Sequence, residues 1–232
     1  HSFQTIESFE NINIKGIYSH LSSADERNAL DPKSSTKLQK HKFQELLEKV
    51  NIEKYKKIKI HLANSAAMLL GKEFHFDMVR VGLSIYGYSP LIKKDTNLIL
   101  KPALYLKAKV AFVRTIDKGV GVSYGSKFVS SRKTKLAVLS IGYADGILRS
   151  LSGKINVLHN KKLYPQIGSI TMDQMMIDIT DSNDIQVGSI MLLLGSDGDK
   201  TISPNDWANK SNTIPWEILC SFKNRLPRVQ VN

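Results

Sequence analysis

The chain has 232 residues, 42% hydrophobic and 23% charged, a composition that suits one large or two small globular domains with a real core. No apolar run approaches the roughly 18 residues of a membrane span. A single cysteine, Cys220, excludes an internal disulfide framework and suits a reducing, cytoplasmic compartment. The net charge of +12 raises the question of a nucleic-acid partner. The basic residues are scattered, however, as in "LYLKAKV", with none of the aromatic–basic interleaving of a single-strand groove or an RNP motif. A solvated basic surface accounts for the charge.

In chain order, "KGIYSHL" reads as a buried strand. From Ser34 to Val50, Phe43, Leu46, Leu47 and Val50 fall at i, i+3, i+4 and i+7, one face of a helix. "KIKIHL" reads as a second strand, and "ANSAAMLLG" as a short helix capped by Asn64 or Ser65 and closed by Gly71. "DMVRVGLSIYGY" reads as a third strand running into a glycine-punctuated turn. This order is the grammar of a parallel α/β sheet or barrel.

After about residue 92 the texture changes. "ALYLKAKVAFVR", "KLAVLSIGYADG" and "INVLHNKKLYPQIGSI" alternate with period two in whole or in part, and "MMIDITD" and "VGSIMLLLG" add short strands. Turn signals between them are spaced as in an all-β domain. Near the end Ser203 caps a short helix with Pro204 at its first position. The expected architecture is therefore α/β over 1–92 and all-β over 93–232.

Candidate chemistry lies at strand ends, the functional rim of a parallel barrel. His20 ends the first strand, His61 the second, and Arg80 and Gly82 the third. Asn64 and Ser65 open a helix, which serves either as plain capping or as a phosphate cradle. Arg80 within an apolar strand needs an acceptor. The histidines and the remote thiol lack metal-ligand spacing, so no metal is expected. In "GVGVSYGSKF", Tyr124 sits on a glycine-rich turn, either covering a core edge or reaching a ligand.

Taken together, "GIYSHLSSADE", "HLANSAAM", "MVRVGLSIYGYSP", "GVGVSYGSKF", "IGYADGILRSLS", "IGSITMDQMMIDIT" and "RLPRV" resemble, in order and spacing, the alanine racemases. These are pyridoxal-phosphate (PLP) enzymes with a (β/α)8 barrel followed by a β-rich domain. The resemblance spans nearly the whole chain. It implies interconversion of L- and D-alanine by a lysine and a tyrosine acting as two bases. It also implies a cytoplasmic homodimer with shared active sites and a supply of D-alanine for peptidoglycan.

By this resemblance, His20 packs against the PLP ring, Arg80 hydrogen-bonds the pyridine nitrogen and His61 orients that arginine. Asn64, Ser65, Gly82 and Leu83 surround the phosphate, the last two through backbone N–H groups. Tyr124 is the base on the L-face and reaches into the partner subunit's site together with Met172 and Tyr143, which bind the substrate carboxylate or line the entrance. A free phenol titrates near ~10, so such a base must be placed beside the reacting carbon. Trp216 stands where many relatives have a phosphate-contacting tyrosine; an indole N–H donates but does not accept.

The family's PLP-bearing lysine, in a motif like "VKANAYGHG", has no counterpart in these 232 residues. The expectation is a C-terminal portion of the enzyme, inactive alone, with an open sheet that favours aggregation. The alternatives are a non-enzymatic remnant or basic binding module, and a racemase for serine or another small amino acid.

Overall fold

The computed structural model describes residues 2–50, 58–91 and 98–231. The backbone divides into two compact units, His1–Ala103 and Leu104–Asn232. The change of texture expected at residues 92–93 lies outside the described residues.

The first unit contains α1 (Ser2–Glu7), β1 (Gly16–Tyr18), α2 (Ser35–Val50), β2 (Lys59–His61) and α3 (Ser65–Leu70). β1 and β2 pair in parallel, with Ile17 opposite Ile60 and Tyr18 opposite His61. A parallel pair needs a long crossover, and α2 lies within it. Ser34 starts α2, its Oγ accepting from the Lys37 N–H at 3.2 Å. The core gathers Leu21, Ala24, Phe43, Leu47, Leu62, Ala63, Ala66, Ala67 and Phe74. Lys37 and Lys40 both donate to Glu73, at 2.7 and 2.6 Å. These two hydrogen bonds, Lys37 first, hold the Glu73 carboxyl below its usual range.

Three expectations need correction here. β1 is not buried: Gly16 and Tyr18 are exposed, and full burial begins only at Leu21. The inner stripe of α2 is Thr36, Phe43 and Leu47, whereas Leu46 is 48% exposed. Leu46 lies about 100° around the helix from Leu47, enough to leave the stripe. "DMVRVGLSIYGY" is not a regular strand. It follows β2 through two bonds, Asp77 N–H to Ile60 O and Arg80 N–H to Ala63 O, both 2.9 Å. It then tightens into a 3-10 turn at Leu83–Tyr86.

The second unit is antiparallel. Its strands are β3 (Leu106–Ile116), β4 (Gly121–Val122), β5 (Phe128–Val129), β6 (Thr134–Leu139), β7 (Asn156–His159), β8 (Lys162–Ile167), β9 (Met175–Asp178), β10 (Ile190–Asp197) and β11 (Lys200–Ile202). The main sheet runs β11-β10-β3-β6-β9-β8-β7, and a further β10–β7 pairing at Leu192 and Leu158 closes six strands on themselves. Closure removes open edges.

Alternation in β3 points Leu106, Ala108 and Val110 inward and Lys107 and Lys109 outward, so these two lysines are solvated. The β7–β8 hairpin turns on Asn160 (φ 47°) and Lys161 (φ 60°), left-handed as a tight two-residue turn requires. α4 (Pro204–Ser211) and α5 (Pro215–Ser221) complete the unit. Ser203 and Asp206 form a reciprocal capping box on α4. Trp207 is fully buried and meets Phe222 edge-on at 6.4 Å.

Among the described residues, no helix is long and apolar enough to cross a membrane.

Candidate functional site

In the first unit, parallel pairing brings the ends of β1 and β2 together, and Arg80 lies across both. Its Nη1 donates to His61 Nδ1 at 2.8 Å and to His61 O at 3.2 Å. Its Nη2 reaches Ser19 O at 2.7 Å, Leu62 O at 3.3 Å and His20 Nδ1 at 3.4 Å. The guanidinium also stands 5.2 Å from the Tyr18 ring centre, and that ring stacks on His61 at 5.2 Å. Among the described residues no carboxylate pairs with Arg80. Its charge is held by carbonyls, imidazoles and a ring face, which leaves it uncompensated toward a ligand.

His61 Nδ1 faces a donor and so acts as an acceptor, placing its proton on Nε2. Burial first, and the neighbouring Arg80 charge second, push the His61 pKa below the ordinary 6.5. The unfolded chain therefore takes up a proton near pH 6.5 that the folded chain resists. This contribution to stability is complete above that pH and is lost as pH falls below it. A urea-unfolding series across pH 6.5 should show the decline, and His61→Gln should flatten that part of the profile. Identical slopes in the two proteins would show that His61 is not the group responsible.

Beside this cluster, Asn64 caps α3, its Oδ1 accepting from the Ala67 N–H at 3.0 Å while its amide donates to Leu21 O at 3.2 Å. Ser65 Oγ accepts from the Gly82 N–H at 2.8 Å and lies 3.4 Å from the Ser84 N–H. Leu83 opens the 3-10 turn, and the first N–H groups of a helix have no partner within it. Ser84 Oγ is buried with no hydrogen-bond partner among the described residues. A buried hydroxyl left unpaired costs about 1–3 kcal/mol, so this polar corner is suited to an acceptor-rich group such as a phosphate. The structure thus brings His20, His61, Asn64, Ser65, Arg80, Gly82 and Leu83 into one stretch of the first unit.

The second unit holds Tyr124, Tyr143, Met172 and Trp216. Tyr124 is 74% exposed on a turn with three positive-φ residues around it, Ser123 (φ 64°) before it and Gly125 (φ 71°) and Ser126 (φ 43°) after it. Such backbone is sparsely populated for serine and persists only when its surroundings enforce it. Enforcement comes from residue 169: Ser123 Oγ donates to Ser169 O at 2.7 Å, and Ser169 Oγ donates to Tyr124 O at 2.9 Å. The phenol is presented to solvent on a fixed base rather than packed over a core edge.

The segment that follows Ser169 also holds the separate 3-10 turn Tyr143–Asp145. The Tyr143 N–H donates to Thr171 O at 2.9 Å and the Ala144 N–H to Met172 O at 3.0 Å. Gly142 is required there, since a Cβ would stand 2.3 and 2.4 Å from those two carbonyl oxygens. Tyr143 and Met172, 42% and 53% exposed, are therefore joined through backbone. Tyr143 also lines a cavity of about 380 Å³ with Arg149, Glu217, Cys220 and Lys223. Trp216 is half-buried on α5.

Sequence reasoning missed Tyr18, Ser84 and Ser169. For Tyr18 the parallel register was the absent information. The other residues had no local signal, because their partners are distant along the chain.

The alanine racemase N-terminal domain model matches residues 2–90 and the alanine racemase C-terminal domain model matches residues 103–230. An alanine racemase of Prochlorococcus marinus is 54% identical over 228 residues, covering 98% of this chain and 59% of that protein. The crystal structure of alanine racemase from Bacillus anthracis with bound L-Ala-P matches with a TM-score of 0.85 at 32% identity, over 99% of this chain and 58% of that one. The alanine racemase from Bartonella henselae, with covalently bound pyridoxal phosphate, matches with a TM-score of 0.82 at 34% identity, over 99% and 61%. The chain thus spans about three-fifths of the relatives it matches.

Proposed function

This chain belongs to the alanine racemase family, and from that premise we propose that its residues serve the PLP-dependent interconversion of L- and D-alanine. The observation that carries the reading is Arg80. It is a guanidinium fixed by two strand ends through Nη1 and Nη2, and among the described residues no carboxylate neutralises it and no acceptor meets its Nε–H. A cofactor ring nitrogen is an acceptor that suits this donor.

The residues fit PLP. Asn64, Ser65, Gly82 and Leu83 would hold the phosphate, and Ser84 Oγ, without a partner among the described residues, would add a polar group to the same corner. His20 would pack against the ring, and by the family resemblance Trp216 is a further candidate for the phosphate. PLP, when bound, withdraws electrons and acidifies the substrate α-proton.

The chain's own contribution is the setting. Arg80, permanently charged, disfavours a second positive charge on the ring nitrogen, which favours return of the proton to the α-carbon. His61 keeps the guanidinium in place by accepting its hydrogen bond. Tyr124 takes or returns the proton at the α-carbon on the L-face. Tyr143 and Met172 bind the carboxylate or bound the entrance. In this reading the sites are shared across a cytoplasmic homodimer, and a lysine in a "VKANAYGHG"-like motif supplies the second base.

The test has two arms. Phosphorus NMR of PLP titrated into the chain should show binding that weakens about tenfold in Ser65→Ala, the loss of roughly one hydrogen bond to a charged group. A chimera with a family lysine segment joined ahead of His1 should racemise L-alanine, with serine and other small amino acids as comparison substrates. PLP binding indifferent to both Ser65→Ala and Arg80→Gln would sink the assignment.

A further inference from the structure

Arg225 lies in "RLPRV", a block to which the functional reading assigns no role, and half of its side chain is exposed. Its Nη2 donates to Asp173 Oδ1 at 2.6 Å, and its Nε stands 3.2 Å from Asp145 Oδ1. The other Asp145 oxygen, Oδ2, accepts from the Gly142 N–H at 2.9 Å, and Asp145 is 7% exposed. Asp145 closes the turn bearing Tyr143, and Asp173 follows Met172. One guanidinium therefore joins the two segments that carry the substrate-side residues, 29 positions apart in sequence.

We propose that Arg225 is a positioning residue that sets the spacing of Tyr143 and Met172. The part of this that concerns substrate rests on the racemase reading above. The geometry favours this role over general stabilisation. Asp173 is 56% exposed, and an exposed ion pair of this kind contributes little to folding. The two contacts use different nitrogens of one planar fork, which fixes an angle as well as a distance. The backbone bonds from Tyr143 and Ala144 to residues 171 and 172 join the segments at one end, and Arg225 joins them at the other. Asp145 is the deeper anchor: it is buried, holds its own turn through Gly142, and leaves one oxygen for Arg225.

Lysine in place of Arg225 keeps the charge but has a single nitrogen and cannot span both carboxylates in the same geometry. Arg225→Lys should therefore keep the melting temperature of the parent while shifting the Met172 methyl and Tyr143 ring resonances in carbon-labelled protein. Arg225→Gln and Asp173→Asn should each move the same resonances. The double variant should move them no further than either single one, as expected for one shared contact.

In the holoenzyme the same variants should raise the alanine KM about tenfold with kcat nearly unchanged, the signature of lost binding common to ground and transition states. Unmoved resonances in folded Arg225→Lys and Arg225→Gln overturn the proposal. Resonances that move while the alanine KM stays fixed leave the positioning role intact and count against the substrate role given to Tyr143 and Met172. If Arg225→Gln fails to fold, Arg225→Lys and Asp173→Asn carry the test.

Discussion

Replacing Tyr124 by phenylalanine is expected to lower racemisation by roughly 10²–10⁴-fold, the usual contribution of a positioned acid or base. The unfolding midpoint should shift by less than the equivalent of about 0.5 kcal/mol. The two expectations come from the same observation. With 74% of its surface exposed, Tyr124 has little packing to lose, and the substitution removes only the hydroxyl. The turn beneath it is held by the Ser123–Ser169–Tyr124 backbone and hydroxyl bonds, none of which involves the phenol. The measurement is racemisation of each enantiomer in the holoenzyme form, beside urea melts. Exchange of the α-proton should fail more severely starting from L-alanine than from D-alanine. Full activity in the phenylalanine variant would remove Tyr124 from the chemistry and return it to the bland role of a surface turn residue.

The second large effect is structural and falls on the first unit. Gly87→Ala should destabilise that unit by roughly 3 kcal/mol or more, combining backbone strain with an unavoidable clash. Gly87 has φ +82°, and a Cβ there would stand 1.8 Å from Lys101 O and 2.6 Å from Pro102 N. Both are backbone atoms, so no side-chain rotation relieves the contact. Gly119, at φ +87° with nothing within 4 Å of its Cβ position, is the control. Gly119→Ala should cost only the left-handed strain of about 1–2 kcal/mol. Gly87 closes the 3-10 turn whose first residues, Leu83 and Ser84, form the proposed phosphate corner. Phosphate affinity should therefore weaken in Gly87→Ala even under conditions where the protein remains folded. Equal midpoints for the two variants would show that residues 101–102 yield easily.

Part of the organisation was legible before any coordinates. The strand–helix alternation ahead of residue 92 and the period-two runs after it follow directly from where apolar side chains fall. The cap at Asn64 and the Ser203–Pro204 start follow from local hydrogen bonding and backbone preference, which act over a few residues. The seven ordered blocks pointed to a family, and the matches over residues 2–90 and 103–230 agree with them.

Other features depended on tertiary structure because their partners are remote. "DMVRVGLSIYGY" alternates like a strand, yet Gly82, the Ser65 bond to its N–H and the left-handed Gly87 bend it into a turn. Leu46 has the spacing of a core residue, but the position of the partner surface leaves it outside. Tyr18 joins the arginine site only through its register with His61. Arg225 has meaning only beside Asp145 and Asp173, 80 and 52 positions earlier in the chain. Turns and periodicities can be read along the chain because they are short-range consequences of sterics and burial. Which distant groups come to share one charge is set by folding, since no pattern along the chain records distances across it.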